Sequence, residues 1–209
     1  MKTFITPLLF FAMTSLQAQQ PSAVGEYYMH GVMETASAFA LKADSTFEFY
    51  YSYGAVDRYG KGKWYQKGDS IVLNSDEKHT SNFKLVKSEQ HSGKDLTIKF
   101  SNPDRNLLSY LSCLARSAKE QDFGRTDNNG MATIPMKSAD SLYVVFELCP
   151  ERISGFKVTN KNYFEFELEP WVAEVTFDNF SLRLTDKGLE GHHPLLEPTK
   201  VVLYERQGN

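Results

Sequence analysis

Thr46–Tyr53, TFEFYYSY, is the stretch whose reading decides the fold. Phe47, Phe49, Tyr51 and Tyr53 fall on one face of an extended chain, and Glu48, Tyr50 and Ser52 on the other. That period of two marks a strand with one buried face. Upstream, Ala43-Asp44-Ser45 is turn chemistry leading back to Phe39-Ala40-Leu41. Downstream, Gly54–Gly62 (GAVDRYGKG) reads as a longer loop. Lys63–Gln66, Lys67-Gly68-Asp69 and Ser70–Asn74 then read as strand, turn and strand, so the region is a meander of hairpins.

The same rhythm runs through the rest of the chain, which carries 15 Phe and 11 Tyr and is broken repeatedly by Gly, Asn, Asp, Pro and Ser clusters. Phe83–Val86 and Leu96–Phe100 continue the strands, and Ser101-Asn102-Pro103-Asp104 interrupts them. Leu107–Arg116, Met131–Met136, Leu142–Leu148 and Ile153–Val158 read as four more, with Thr126–Gly130 (TDNNG) as a sharp turn. Leu107, Leu111, Leu114 and Ala118 also fit a helical stripe; a strand is the preferred reading. Tyr163–Leu168 alternates again, Val172–Phe180 and Ser181–Thr185 follow, and a loop rich in His and Pro leads to the closing strand Lys200–Arg206.

Phe4–Met13 is an apolar run behind a single positive charge at Lys2, too short to span a bilayer as a helix, and small Ala18 suits the residue before a cut. Residues 1–18 are therefore expected to be a signal peptide, with a mature chain from Gln19. No cysteine stands at that cut to take a lipid, and no second long apolar run follows, so the expected destination is soluble: secreted or periplasmic. Lys and Arg number 23 against 26 Asp and Glu; without Lys2 the balance is 22 against 26, a charge of −4 with no basic block, which does not suit nucleic acid. Cys113 and Cys149 are candidates for a disulfide in an oxidising compartment, where closing that loop contributes roughly 4 kcal/mol in chain entropy; burial as two free thiols suits them equally.

Two segments carry a resemblance. Met33–Asn74, with its order of apolar strand, Asp-Ser-Thr-Phe, aromatic strand, Gly-Ala-Val-Asp-Arg and Gly-Lys-Trp, resembles the opening meander of the lipocalin-like proteins exported by Bacteroidetes. Leu96–Val158, with its Thr-Asp-Asn-Asn-Gly-Met-Ala turn, is similar to transthyretin-like or carboxypeptidase-regulatory-like Greek-key modules. The resemblance implies an all-β chain: a lipocalin-like antiparallel barrel or half-barrel over 19–94, a small β-sandwich over 95–160, and a C-terminal β segment over 161–209 that returns to complete the barrel. It implies no shared catalytic residues.

The chemistry-bearing residues do not assemble a familiar catalytic site. No G-x-S-x-G elbow occurs, and neither cysteine sits in an electropositive, helix-opening setting. His192 and His193 are adjacent and point to opposite sides of an extended chain, while His30, His79 and His91 are scattered; the bland reading of the pair is a solvated loop before Pro194. The calcium-like run from Arg125 to Gly130 has Arg125 where the first acidic ligand belongs and Met136 where the last does. Glu165, Glu167 and Glu169 are about 7 Å apart along one strand face and read as the wet face of a sheet. No metal and no cofactor are expected.

Binding is the remaining class. Phe47, Phe49, Tyr51 and Tyr53, with Trp64 from the next strand, line a cavity for a small apolar ligand, or else fill a barrel with their own side chains. Arg58, beside Asp57, either holds a ligand carboxylate or phosphate or ties its loop to neighbouring strands. Tyr50, Tyr59 and Tyr65, on the outward parity, present flat faces to sugar rings. The expected function is thus a non-catalytic exported binding or interaction protein of the cell envelope, holding a small apolar ligand. The alternatives are a glycan-binding or glycan-acting protein and a purely structural envelope component that meets another envelope protein.

Overall fold

The computed structural model describes residues 22–54, 56–158, 160–197 and 199–208, and the expected signal peptide lies outside them. Alternation begins the fold as the sequence implies. Strands β1 (Gly25–Met29), β2 (Thr35–Leu41), β3 (Thr46–Tyr53), β4 (Val56–Lys67) and β5 (Ser70–Asn74) form an antiparallel meander. In β3 every second residue from Phe47 to Tyr51 is buried. The turn before it is held by Asp44, whose carboxylate accepts from the Thr46 N–H at 3.0 Å and from its hydroxyl at 2.6 Å.

The chain then leaves the barrel. β6 (Phe83–Glu89), β7 (Leu96–Ser101), β8 (Leu111–Arg116), β9 (Gln121–Arg125), β10 (Met131–Ile134), β11 (Ser141–Phe146), β12 (Ser154–Lys157) and β13 (Tyr163–Leu168) build two four-stranded sheets, ordered β10-β7-β13-β6 and β12-β11-β8-β9. The chain crosses between the sheets after β7, β9, β10 and β12. β13 therefore returns parallel to β7, the single parallel pairing among the named strands. Leu96, Ile98, Phe100, Leu111, Leu142, Val144, Phe164 and Phe166 form the core between them.

β14 (Phe180–Leu184), β15 (Gly188–His192) and β16 (Val201–Arg206) come back to close the barrel. β14 pairs with β5, Phe180 opposite Leu73, and β16 pairs with β1, Tyr27 opposite Arg206. The result is a closed eight-stranded antiparallel barrel, β1-β16-β15-β14-β5-β4-β3-β2, beside a sandwich: the all-β class expected from the sequence.

Several elements differ from that expectation. Gly54–Gly62 is no loop, because β4 runs straight through it from Val56. The glycines that read as punctuation face the barrel interior: a Cβ on Gly60 would lie 2.6 Å from the Phe177 ring, and one on Gly62 would lie 2.1 Å from the Asn74 carbonyl oxygen. The close approach of a buried ring to Gly60 and of neighbouring backbone to Gly62, not a turn, accounts for them. Gly62→Ala is expected to cost about 1–3 kcal/mol, read as a shift in the urea midpoint, since backbone and not a flexible side chain stands in the way.

The strands on either side of the expected borders fall differently too. β6 lies before the expected boundary at 95 yet pairs with β13, and β13 itself sits in the sandwich rather than the barrel. Only β14 to β16 of the segment 161–209 join the barrel. Of Val172–Phe180 only Phe180 enters a regular strand, β14; Tyr59 N–H donates to Ala173 O at 3.4 Å and Val175 N–H to Tyr59 O at 2.7 Å, so this stretch seals the part of β4 that β5 does not reach. The Leu107 region divides into a short 3-10 turn, Arg105–Ser109, and then β8, while β9 and β15 occupy stretches without a strand signature. Thr126–Gly130 joins strands of different sheets, its turn closed by two N–H donors, Asn129 and Met131, on the Asp127 carboxylate.

No disulfide joins Cys113 and Cys149 in this structure. Cys113 and Cys149 are free and buried in the sandwich core. Burial pushes the Cys149 thiol up to about 11 and the Cys113 thiol higher still, so both stay protonated at any ordinary pH.

Candidate functional site

Phe47 and Phe49 point inward and are wholly buried. The space is taken by Phe177, delivered by the stretch that leads from β13 into β14. Its ring stands edge-on to Phe39, Phe47 and Phe49, at centroid separations of 5.9, 5.1 and 5.3 Å. Tyr27, Tyr204, Ile71 and Leu73 complete the filling. At the barrel centre these side chains pack against one another.

The other residues singled out in the sequence separate along the barrel axis. Trp64 sits at the β2–β3 turn, its indole N–H donating to Lys42 O at 3.0 Å. Tyr53 stands at the opposite end of β3, 53% exposed on the rim. Eight extended residues span about 25 Å, so the two cannot touch one ligand of drug size. Tyr51, Tyr53 and Arg58 do meet, around a pocket of about 290 Å³ closed on the far side by Leu148, Pro150 and Leu195.

Arg58 is 3% exposed and forms an ion pair with Glu151 from the sandwich. Its Nε donates to Ala173 O at 2.9 Å. Tying the two halves together is therefore its visible role, and its guanidinium is already occupied.

The candidate residues with no motif to betray them lie at the barrel mouth. His193 follows β15 and is 3% exposed, not the solvated loop residue of the sequence reading. Leu195 and Leu196 N–H both donate to its Nδ1, at 3.0 and 3.1 Å. The proton of the neutral ring is therefore on Nε2, which donates to Ser37 Oγ at 3.1 Å. Ser37 passes its own proton to Tyr50 O at 3.2 Å and stands 3.3 Å from the Tyr204 hydroxyl, which donates to it. Burial holds the His193 pKa down at about 4. The imidazole thus staples the loop Pro194–Leu196 over the mouth.

Beside that loop opens the larger cleft, about 620 Å³, between barrel and sandwich. Val175, Phe177, Phe180, Leu195 and Leu196 supply its apolar wall; Arg152, His79, His192, Glu151 and Asp178 stand around it. Glu151 is paired with Arg58, Asp178 with Lys78 at 2.7 Å, and Glu174 faces His79 at 3.6 Å. Arg152 is different. Its donors go to Asn82 Oδ1, Glu174 O at 3.1 Å and Thr176 Oγ1 at 2.9 Å, all neutral acceptors, and among the described residues it forms no ion pair.

Among the described residues no group of three or more His, Cys, Asp or Glu side chains is placed to hold a metal ion. No helix among them is long and apolar enough to cross a membrane. Comparison of the chain with protein-family models, with curated proteins and with solved structures finds no match in any of the three.

Proposed function

We propose that the chain is a non-catalytic binding protein of the cell envelope, exported through its N-terminal leader, that holds a small amphipathic molecule in the cleft between barrel and sandwich. The ligand class is an apolar body with an anionic head, and the lipocalin-like resemblance belongs to this reading. One observation carries it: a cleft of about 620 Å³ has an apolar wall of Phe177, Phe180, Leu195 and Leu196 and, at its edge, the guanidinium of Arg152 with only neutral acceptors. A carboxylate or phosphate supplies the missing countercharge, through the charge-assisted hydrogen bonds that favour arginine. The apolar body covers the exposed aliphatic and aromatic carbon. The filled barrel centre supports the mouth, rather than the interior, as the place of such a ligand.

Native mass spectrometry of protein purified from the periplasm is expected to show a bound mass that is lost on denaturation. The delipidated protein is expected to bind decanoate or dodecyl phosphate saturably. Arg152→Gln weakens that binding about tenfold, the usual worth of a charge-assisted hydrogen bond. Leu196→Trp, which fills the cleft without touching the guanidinium, abolishes it. A protein that carries no mass and takes up neither probe, or one whose uptake ignores both substitutions, overturns the reading.

A further inference from the structure

The outer wall of the barrel carries a second concavity, and we propose that it binds a neutral pyranose oligosaccharide. Strands β1 to β4 pair so that Tyr28 lies opposite Ala38, Ala38 opposite Tyr50, and Tyr50 opposite Tyr59. One outward-facing row across the sheet is therefore Tyr, Ala, Tyr, Tyr. The next such row, two residues along, is Glu26, Ala40, Glu48 and Lys61. The tyrosines are 38%, 45% and 42% exposed in the order Tyr28, Tyr50 and Tyr59. The methyl groups of Ala38 and Ala40 cannot fill the space between neighbours of that size, so a trough of about 390 Å³ opens along β2.

Its width suits one saturated ring. Adjacent strands are about 4.8 Å apart, which sets Tyr28 and Tyr50 roughly 10 Å from each other across Ala38. Carbon surfaces meet at about 3.5–4.0 Å, leaving room for a ring with a tyrosine on either side. A pyranose presents C–H faces to such walls and hydroxyls at its edge, and the tyrosines match that division with an apolar face and a polar tip.

The edge chemistry selects a neutral polyol over the two other occupants of such a slot. Sugar hydroxyls both donate and accept, and the trough offers both: Glu26, Glu48 and the tyrosine oxygens, whose protons are engaged within the protein, accept, while Lys61 donates. The charges balance. Glu48 pairs with Lys42 at 2.5 Å, Lys61 lies opposite Glu48, and Glu26 accepts the Tyr28 hydroxyl at 2.7 Å. A quaternary ammonium gains little from Glu48, already paired with Lys42, and a hydrocarbon would strip water from both carboxylates without replacing it. The walls are braced as well, the Tyr50 hydroxyl donating to Asp57 at 3.2 Å and the Tyr59 hydroxyl to Pro170 O at 3.4 Å.

The test is isothermal titration of the full mature chain with cellohexaose, xylohexaose, mannohexaose and laminarihexaose, with tetramethylammonium chloride as the cation control. At least one hexasaccharide is expected to bind saturably. Tyr28→Ala and Tyr50→Ala each weaken it about tenfold, as loss of one aromatic wall does. Ala38→Trp fills the trough from its floor without deleting a hydrogen-bonding group, lies on the barrel exterior so that the melting temperature holds, and abolishes binding. Arg152→Gln, in the mouth cleft, leaves it unchanged, so failure here and failure of the mouth-cleft ligand are separate results. No hexasaccharide binding at millimolar concentration overturns the proposal, as does binding that survives Ala38→Trp. Tetramethylammonium binding that depends on these tyrosines, in place of sugar binding, overturns it in favour of a cation site.

Discussion

Phe177→Ala is expected to lower stability by about 3–5 kcal/mol, the cost of truncating a fully buried aromatic in a core that cannot collapse around the void. The ring is 1% exposed and meets Phe39, Phe47, Phe49 and Phe180. Collapse is blocked because the neighbouring wall is β4, fixed by its pairing with β3. Urea unfolding at neutral pH checks it: the midpoint falls while the slope is retained. A loss below about 1 kcal/mol would show that the stretch bearing Phe177 is an optional cover over the barrel and not part of its core.

Acid is expected to remove a second large contribution. The pKa of His193 is held near 4 in the folded chain against an ordinary 6.5, so the unfolded chain binds the extra proton between those values. The stabilising effect of the neutral ring is complete above about pH 6.5 and is lost as the pH falls towards 4. Its size is roughly 3 kcal/mol, at about 1.4 kcal/mol per unit. Protonating Nδ1 also opposes the two N–H groups that donate to it, so the Pro194–Leu196 loop is the first element expected to leave the mouth. Urea midpoints measured from pH 7 to pH 4 for the natural chain and for His193→Gln separate this ring from the carboxylates, which titrate in both. Parallel curves would sink the assignment.

Much of the barrel was legible because its clearest strands bury one face only. The alternation in Thr46–Tyr53 fixes β3, and with it the inward set Phe47, Phe49 and Tyr51. Legibility fails where glycine is ambiguous: Gly60 and Gly62 look like loop residues, and only the Phe177 ring, more than a hundred positions away, explains the first, while the Asn74 backbone on the neighbouring strand explains the second. It fails again for β15, GLEGH, whose burial is decided by the strands on either side and not by its own pattern. The candidate site divides in the same way. Arg58 and Tyr51 were visible as residue types, whereas Arg152 and His193 carry no local signal, because what makes each distinctive is a partner brought from another part of the chain. The run Val175, Phe177 does alternate, and that period of two was the one available hint of an inward-facing pair.

The place where the sandwich interrupts the barrel has a consequence for biogenesis. β5 and β14 are neighbours in the barrel, yet the whole of β6 to β13 is synthesised between them. The inserted sandwich has its own core and all its strands in hand by Leu168, so it is able to condense while the barrel is half made. The first five strands meanwhile hold Phe39, Phe47 and Phe49 with nothing to cover them until Phe177 and the last three strands emerge. Such long-range closure is slow and exposes sticky surface. A chain built this way is expected to depend on a holding chaperone during synthesis, and its aggregation on refolding is expected to begin from the N-terminal meander.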